Sequence, residues 1–386
     1  MSVQCSFTGK HKRCTLVITT LGWVFDAYDI VLFSLLSIYI LPSLEINEST
    51  YSIIFGIQLA TTAIGGVFFG LLADKIGKRN ALIIDFVVYA CGAVLMFLSN
   101  NWMHLLFARF VAGLAIGGEW GISSALLNDV LGYEKRGIGF GILQAGWSIG
   151  VGTAALSAIF IGERFGWRYA FLPGLLAIIL AIYVYFNVPE IKPKMHRIRD
   201  ALKTVPVKAT SIALLVAILG MYAFYIVWTW LPRELVNTGI LAPDELFKFI
   251  GLSAIAGGSG HILFGYMSDR HGRKRIFTLY AAIFIASLML IIFVREHTLV
   301  LFSLLTLQFA CGFFAGYGPA FTEIFSDEIR TTGTAFVYNT GRGVSGLLIT
   351  SNIMGIMSAV LNVDILTTTA LAIPVMVLTA VLYAYL

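Results

Sequence analysis

Charge is scarce in this chain. Only 12% of its 386 residues are Asp, Glu, Lys or Arg, against 58% hydrophobic residues and a mean hydropathy of +0.87. A soluble domain of that composition has too little polar surface to cover itself, so the chain belongs in lipid. Cysteine is almost as rare: Cys5, Cys14, Cys91 and Cys311 have no close paired spacing, and two of them fall inside apolar runs. That pattern excludes a disulfide framework and offers no metal site, and the six histidines form no ligand cluster. No G-x-x-x-x-G-K-(S/T) loop occurs, which argues against ATP hydrolysis. Neither an enzyme, a cofactor nor a metal is expected. The short basic start, Met1 to Cys14, precedes a long apolar run without a small-residue cleavage site, so that run reads as a spanning helix and not as a removed signal.

Long apolar runs are what the chain has in abundance. A helix needs about 20 residues to cross the hydrocarbon core, and twelve such segments fall at 16–40, 51–73, 80–99, 102–128, 137–161, 169–188, 208–231, 246–268, 276–294, 299–325, 331–359 and 362–386. The expected fold class is therefore an all-α membrane protein of twelve transmembrane helices in two six-helix bundles, 1–188 and 208–386. Between them lies a linker, 189–207, with Pro189, Pro193 and Pro206 among the basic residues Lys192, Lys194, Arg197, Arg199 and Lys203. The amino-terminal segment and the even-to-odd loops, with Lys208 at the edge of the seventh span, hold 19 of the 26 Lys and Arg, and the opposite loops, with Lys248 at the edge of the eighth, hold five. The positive-inside rule then places both termini in the cytoplasm of a multi-pass protein of the cell membrane. The net charge of +5 reports orientation and calls for no nucleic-acid partner; the expected partners are the bilayer, a small molecule and protons, with the chain a monomer.

The two bundles repeat one another. Gly70, Asp74, Gly77, Lys78 and Arg79 form a G-x-x-x-D-x-x-G-(K/R)-(K/R) loop that recurs 195 residues later as Gly265, Asp269, Gly272, Arg273 and Lys274. Asp129, Arg136 and Gly139 echo Glu323, Arg330 and Gly333, and Gln144 and Gly146 match Asn339 and Gly341. This doubled loop, the twelve spans and the basic linker resemble the major facilitator superfamily along essentially the whole chain. The resemblance implies substrate binding near mid-membrane between halves that rock to expose it to alternate sides. Asp74, at the end of the second helix, can accept hydrogen bonds from the amino-terminal end of a helix in the other half. The resemblance implies that this latch, with Asp269 as its counterpart and Arg136 and Arg330 as counter-charges, stabilises an outward-open state. The gating set is thus Gly70, Asp74, Gly77, Arg79, Arg136, Gly265, Asp269, Gly272, Arg273, Glu323 and Arg330; the alternative is that these loops only anchor helix ends.

Ionised groups within spans cost several kcal/mol unless paired or facing water, so the few present stand out: Asp26, Asp29, Asp85, Arg109, Glu119, Glu323 and Arg342. A rise of about 1.5 Å per residue puts Asp29 roughly 20 Å above the cytoplasmic end of the first span and Arg109 roughly 10 Å below the outer end of the fourth, the same level in a core of about 30 Å. They can pair, either as a proton-coupling couple or as a static bridge, with Asp26 one turn lower. Glu119 and Gln144 also share a level and can hydrogen-bond. Arg342 lies roughly 16 Å deep among small neighbours, Asn339-Thr340-Gly341-Arg342-Gly343, and its planar fork suits a carboxylate; a buried acid of the protein is the other candidate partner. Tyr28, Trp147, Tyr225 and Trp228 supply rings that could line a cavity, beside Gln144 and Asn339. His261 reads as a packed polar contact before it reads as a titrating group.

Asp26-Ala27-Tyr28-Asp29 resembles the double-Asp signature of aromatic-acid proton symporters, and Asp29 with Arg109 resembles the acid–arginine couple of proton-linked sugar porters. The run from Arg109 through Gly117-Gly118-Glu119-Trp120-Gly121 to Gln144-Ala145-Gly146 is similar to the sialate and lactate proton symporters. A Gly-Pro signature of drug antiporters is missing from the fifth span, and the linker has Pro189-Glu190 but not the longer string of sugar porters. The resemblance implies a secondary transporter that moves a small organic anion, a monocarboxylate of the lactate, sialate or aromatic-acid kind, together with protons. Asp29, Asp26, Arg109 and Glu119 would serve coupling; Arg342, Tyr28, Gln144, Trp147, Tyr225, Trp228 and Asn339 would serve binding. A sugar or polyol symporter, an export antiporter and a transport-inactive sensor are the rivals.

Overall fold

The computed structural model describes residues 8–191, 198–350, 360 and 365–386. Helices occupy every expected span: α1 Gly9–Leu35, α2 Glu48–Ile76, α3 Lys78–Phe97, α4 Trp102–Val130, α5 Tyr133–Phe165, α6 Tyr169–Asn187, α7 Val207–Asn237, α8 Pro243–His271, α9 Arg273–Val294, α10 His297–Ile324, α11 Arg330–Thr350 and α12 Thr369–Tyr383. Among the described residues nine of these stretches are long and apolar enough to cross a bilayer, and no strand occurs. The chain is an all-α multi-pass membrane protein. Lys192, Pro193, Lys194 and Arg197 of the expected linker, the far end of the eleventh span and the start of the twelfth lie outside the described residues.

Local chemistry sets the helix ends. Asn47 and Asn101 cap α2 and α4 by accepting from Thr50 N–H at 2.8 Å and His104 N–H at 2.9 Å, which satisfies donors that the helix leaves free. Glu296 does the same for α10, accepting from Thr298 and Leu299 N–H at 3.0 and 2.8 Å; these bonds hold its exposed carboxyl below the usual carboxylate range. The repeated loops turn on Gly77 at φ 98° and Gly272 at φ 90°, angles that residues with a Cβ rarely adopt. A motif glycine therefore ends α2 and starts α3, and its copy separates α8 from α9.

Packing follows the two repeats. In the first half α2 packs on α4, α4 on α3, α1 on α5 and α3 on α6; in the second α7 packs on α11 and α12, and α10 on α8 and α9. Small residues allow the close approaches. A Cβ on Gly117 of α4 would stand 2.0 Å from the Thr62 carbonyl of α2, a clash that fixes glycine there. Two seams join the halves, α5 against α8 and α2 against α11. Large apolar side chains such as Phe68, Phe107, Phe293 and Phe302 stand exposed around the perimeter, as expected where lipid replaces water.

Candidate substrate cavity and gates

The end of the bundle that carries the repeated loops, the motif end, is closed by two matching sets of contacts. Asp74 accepts from Thr331 and Thr332 N–H at 3.2 and 2.8 Å and from Thr332 Oγ1 at 2.7 Å. Its copy, Asp269, accepts from Gly137 and Ile138 N–H at 2.8 and 2.9 Å. Each carboxylate thus caps the first turn of a helix in the opposite half, α11 or α5, where free N–H groups and the helix dipole favour negative charge. The first motif glycine makes that reach possible. A Cβ on Gly70 would lie 2.7 Å from Thr332 Cα, and one on Gly265 would lie 2.3 Å from the Gly137 carbonyl.

Ion pairs flank both caps. Glu323 takes Arg136 at 2.9 Å and Arg273 at 2.7 Å; Asp129 takes Arg330 at 3.0 Å and Lys78 at 2.7 Å. The two clusters are copies of one pattern, each with one cation from across the seam. Arg136 and Arg330 are therefore counter-charges of Glu323 and Asp129, and not of the capping Asp74 and Asp269, whose oxygens are occupied by backbone donors. Arg79 departs from the expected gate as well: it pairs with Glu190 at the start of the linker at 2.7 Å, near Tyr185, and not with the second half.

Deep in the first half, Arg109 grips Asp29 with two bonds, Nη1 to Oδ2 at 2.8 Å and Nη2 to Oδ1 at 3.1 Å. Gln58 Nε2 adds a third donor at 3.0 Å. The guanidinium lies over Phe33 and Phe171, 4.8 and 5.1 Å from their centroids. The other buried acids are less well served. Asp26 Oδ2, Asp85 Oδ1 and Glu119 Oε2 have no hydrogen-bond partner. Glu119 accepts through Oε1 from Ser123 at 2.5 Å, and Gln144 Oε1 accepts from Trp120 Nε1 at 3.1 Å. The expected Glu119–Gln144 bond is not formed: Glu119 Oε1 is taken by Ser123 of its own helix, and Gln144 Oε1 by Trp120, which reaches across from α4.

Between the halves lies a cavity with about 470 Å³ of empty space, its mouth included, lined by Trp23, Gln144 and Trp147 from the first half and by residues of α7, α8, α10 and α11 from the second. Arg342 stands on its wall, 3% exposed, 5.1 Å from both the Trp23 and Tyr338 rings. Its Nη1 has no partner, and among the described residues no carboxylate forms an ion pair with it. Asp26 and Glu119 interact with the guanidinium electrostatically without touching it. Tyr338 stacks on Trp120, centroids 3.5 Å apart.

Of the residues expected to bind substrate, Arg342, Gln144, Trp147 and Tyr225 line this cavity. Three do not. The Tyr28 hydroxyl bonds Ser157 Oγ at 2.7 Å and the Ala170 carbonyl at 2.5 Å, pointing toward α5 and α6. Trp228 sits behind Phe224, stacked at 5.8 Å, and Phe224 takes the wall position. Asn339 bridges the seam instead, donating to the Gly117 carbonyl at 2.7 Å and the Ala335 carbonyl at 3.1 Å. Tyr338, Phe224, Gln308 and Phe314 went unremarked in the sequence; only Tyr338, four residues before Arg342 and so on its face, carried a signal.

A family model, Major Facilitator Superfamily, matches residues 17–350. The chain belongs to that superfamily. It is a membrane transporter and not an enzyme. Among its relatives is the "Probable 4-methylmuconolactone transporter" of Cupriavidus pinatubonensis, 28% identical over 343 residues, 84% of this chain and 79% of the relative. The sialic acid transporter NanX of Escherichia coli is 27% identical over 343 residues, 86% of this chain and 84% of the relative. Among solved structures, the proton:xylose symporter XylE superposes with a TM-score of 0.79 at 17% identity, covering 97% of this chain and 95% of that one, a likeness of fold.

Proposed function

We propose that this transporter carries a small organic anion, a monocarboxylate, together with protons by alternating access. The observation that carries this reading is Arg342: a buried guanidinium on a cavity wall, with an Nη1 that no protein group satisfies. An unsatisfied buried donor of a charged group costs free energy that a partner would recover, and a carboxylate is the partner its fork fits. Relatives named for sialic acid and a muconolactone support an organic acid over a sugar.

Coupling falls to Asp26 before Asp29. Asp29 and Arg109 belong to α1 and α4 of one half, so rocking of the halves leaves that pair intact. Asp26 looks across the boundary to Arg342. A substrate carboxylate seated on Arg342 withdraws from Asp26 and Glu119 the positive charge that favours their ionised forms, and a lone carboxylate in a dry site is stabilised by taking a proton. Anion and proton then load together. The basic bias of the motif end makes it the cytoplasmic end, with both termini there, in a chain divided as 1–188, 189–207 and 208–386; the caps of Asp74 and Asp269 then hold the outward-facing state.

Uptake into proteoliposomes under an imposed pH gradient, with labelled lactate, benzoate and glucose in parallel, tests the reading. Accumulation of an acid but not of glucose, lost in Arg342→Ala, is expected. Accumulation of glucose alone, or an Arg342→Ala protein with full affinity for the acid, refutes it.

A further inference from the structure

The cavity has a second polar pole that the carboxylate reading leaves unused. His261 on α8 lines the cavity and is 3% exposed; its Nδ1 lies beside the Gly257 carbonyl without a hydrogen bond of normal geometry. Gln308 of α10 lines the same wall. One turn before His261, Gly257 carries no side chain, and a Cβ there would stand 3.0 Å from Gln308 Nε2 and 3.1 Å from Ser148 Oγ. The Ser148 hydroxyl is likewise buried and unpartnered. An imidazole, an amide and a hydroxyl thus converge on one glycine, in a part of the bilayer where unpaired polar groups are expensive.

This pole is separate from Arg342. α8 packs on α5 and α10, whereas α11 packs on α2 and α7, and the two helices share no appreciable contact. Trp147, Phe224 and Phe314 line the same cavity and favour an apolar, flat body in the space that the two poles share.

We propose that the cavity holds its anion at two points: the carboxylate at Arg342, and a second oxygen function, a hydroxyl or carbonyl elsewhere on the molecule, at His261 and Gln308. The substrate class is then a flat organic acid with a hydrogen-bonding oxygen remote from its carboxylate. This rests on the carboxylate reading of Arg342. His261 is a specificity residue here, because a site built to hydrogen-bond a substrate oxygen discriminates strongly against the analogue that lacks it.

The test is binding to the purified full chain in detergent, measured calorimetrically, for benzoate, 3-hydroxybenzoate and 4-hydroxybenzoate. Wild type should prefer at least one hydroxylated acid by about tenfold or more. His261→Ala and Gln308→Ala should remove that preference by weakening the hydroxylated acids more than benzoate, and His261→Gln should keep part of it; a cooperative thermal unfolding transition shows that the variants are folded. A wild type without the preference, a His261→Ala protein that keeps it, or one that loses all three acids equally overturns the proposal. Arg342→Ala should weaken all three. Unchanged affinity in that variant refutes the carboxylate reading instead, a result distinct from loss of the preference, and failure of wild type to bind any of the acids refutes both.

Discussion

The motif end and the membrane centre obey opposite rules of symmetry. At the motif end each contact has its copy: Asp74 on the first turn of α11 and Asp269 on that of α5, Lys78·Asp129·Arg330 and Arg273·Glu323·Arg136. At the centre the halves share almost nothing. The first buries Asp26, Asp29, Asp85 and Glu119 with Arg109; the second offers Arg342 and His261 among aromatic rings. The difference follows from what each region must do. Two halves that close against each other can use one latch twice, because a helix terminus and a carboxylate fit equally from either side. Holding a proton and holding an anion need opposite charges, and a duplicated centre would supply the same charge twice.

The strongest break in the centre is Arg109→Ala, which strands Asp29 in a dry site; removing one partner of a buried pair costs about 3–5 kcal/mol, and thermal unfolding in detergent should show the largest loss of stability of any change considered. Asp29→Asn with Arg109→Gln should recover much of it, since no charge is then left alone. An Arg109→Ala protein as stable as wild type would show that the pair is solvated.

Next come the latches, where the symmetry can be sharpened. Asp74 accepts three hydrogen bonds and Asp269 two, each charge-assisted bond being worth about 1.5–3 kcal/mol. Asp74→Ala should therefore raise the reactivity of a cysteine placed at the motif end of the seam more than Asp269→Ala does, with both above wild type. Equal, unchanged reactivity would reduce the caps to anchors. Gly70→Leu and Gly265→Leu should act in the same direction by wedging the seam, to a greater degree at Gly265, where a Cβ would stand 2.3 Å from the Gly137 carbonyl against 2.7 Å from Thr332 Cα at Gly70.

How far the sequence reached depends on the same distinction. Spans, doubled loops and the depth of a charge are one-dimensional quantities, and a rise per residue set Asp29 level with Arg109. Height does not give direction around a helix. Tyr28 stands one residue from Asp29 yet points toward α5 and α6, Asn339 stands three from Arg342 yet crosses the seam to Gly117, and Arg79 turns back to Glu190. Nor does spacing show which groups are left without partners, and that, for Arg342 and His261, is what separates a binding wall from a packed core.

The smallest effect is expected outside the membrane, at Glu296. Its carboxyl sits below its ordinary value of 4.5 because Thr298 and Leu299 donate to it. The depressed value means that its contribution is complete above the ordinary value and is lost as the pH falls through the folded-state one. Glu296→Gln should lower the melting temperature slightly at neutral pH, and the gap should close in acid. A gap that widens in acid would contradict the capping geometry.

The central claim is that Asp26 takes its proton when a carboxylate occupies Arg342. Asp26→Asn fixes that site in its uncharged form, so the direct measurement is labelled-acid transport by this variant in proteoliposomes, as exchange against internal substrate and as accumulation driven by a pH gradient. The account predicts that exchange persists while gradient-driven accumulation disappears. Accumulation at the wild-type level would contradict it.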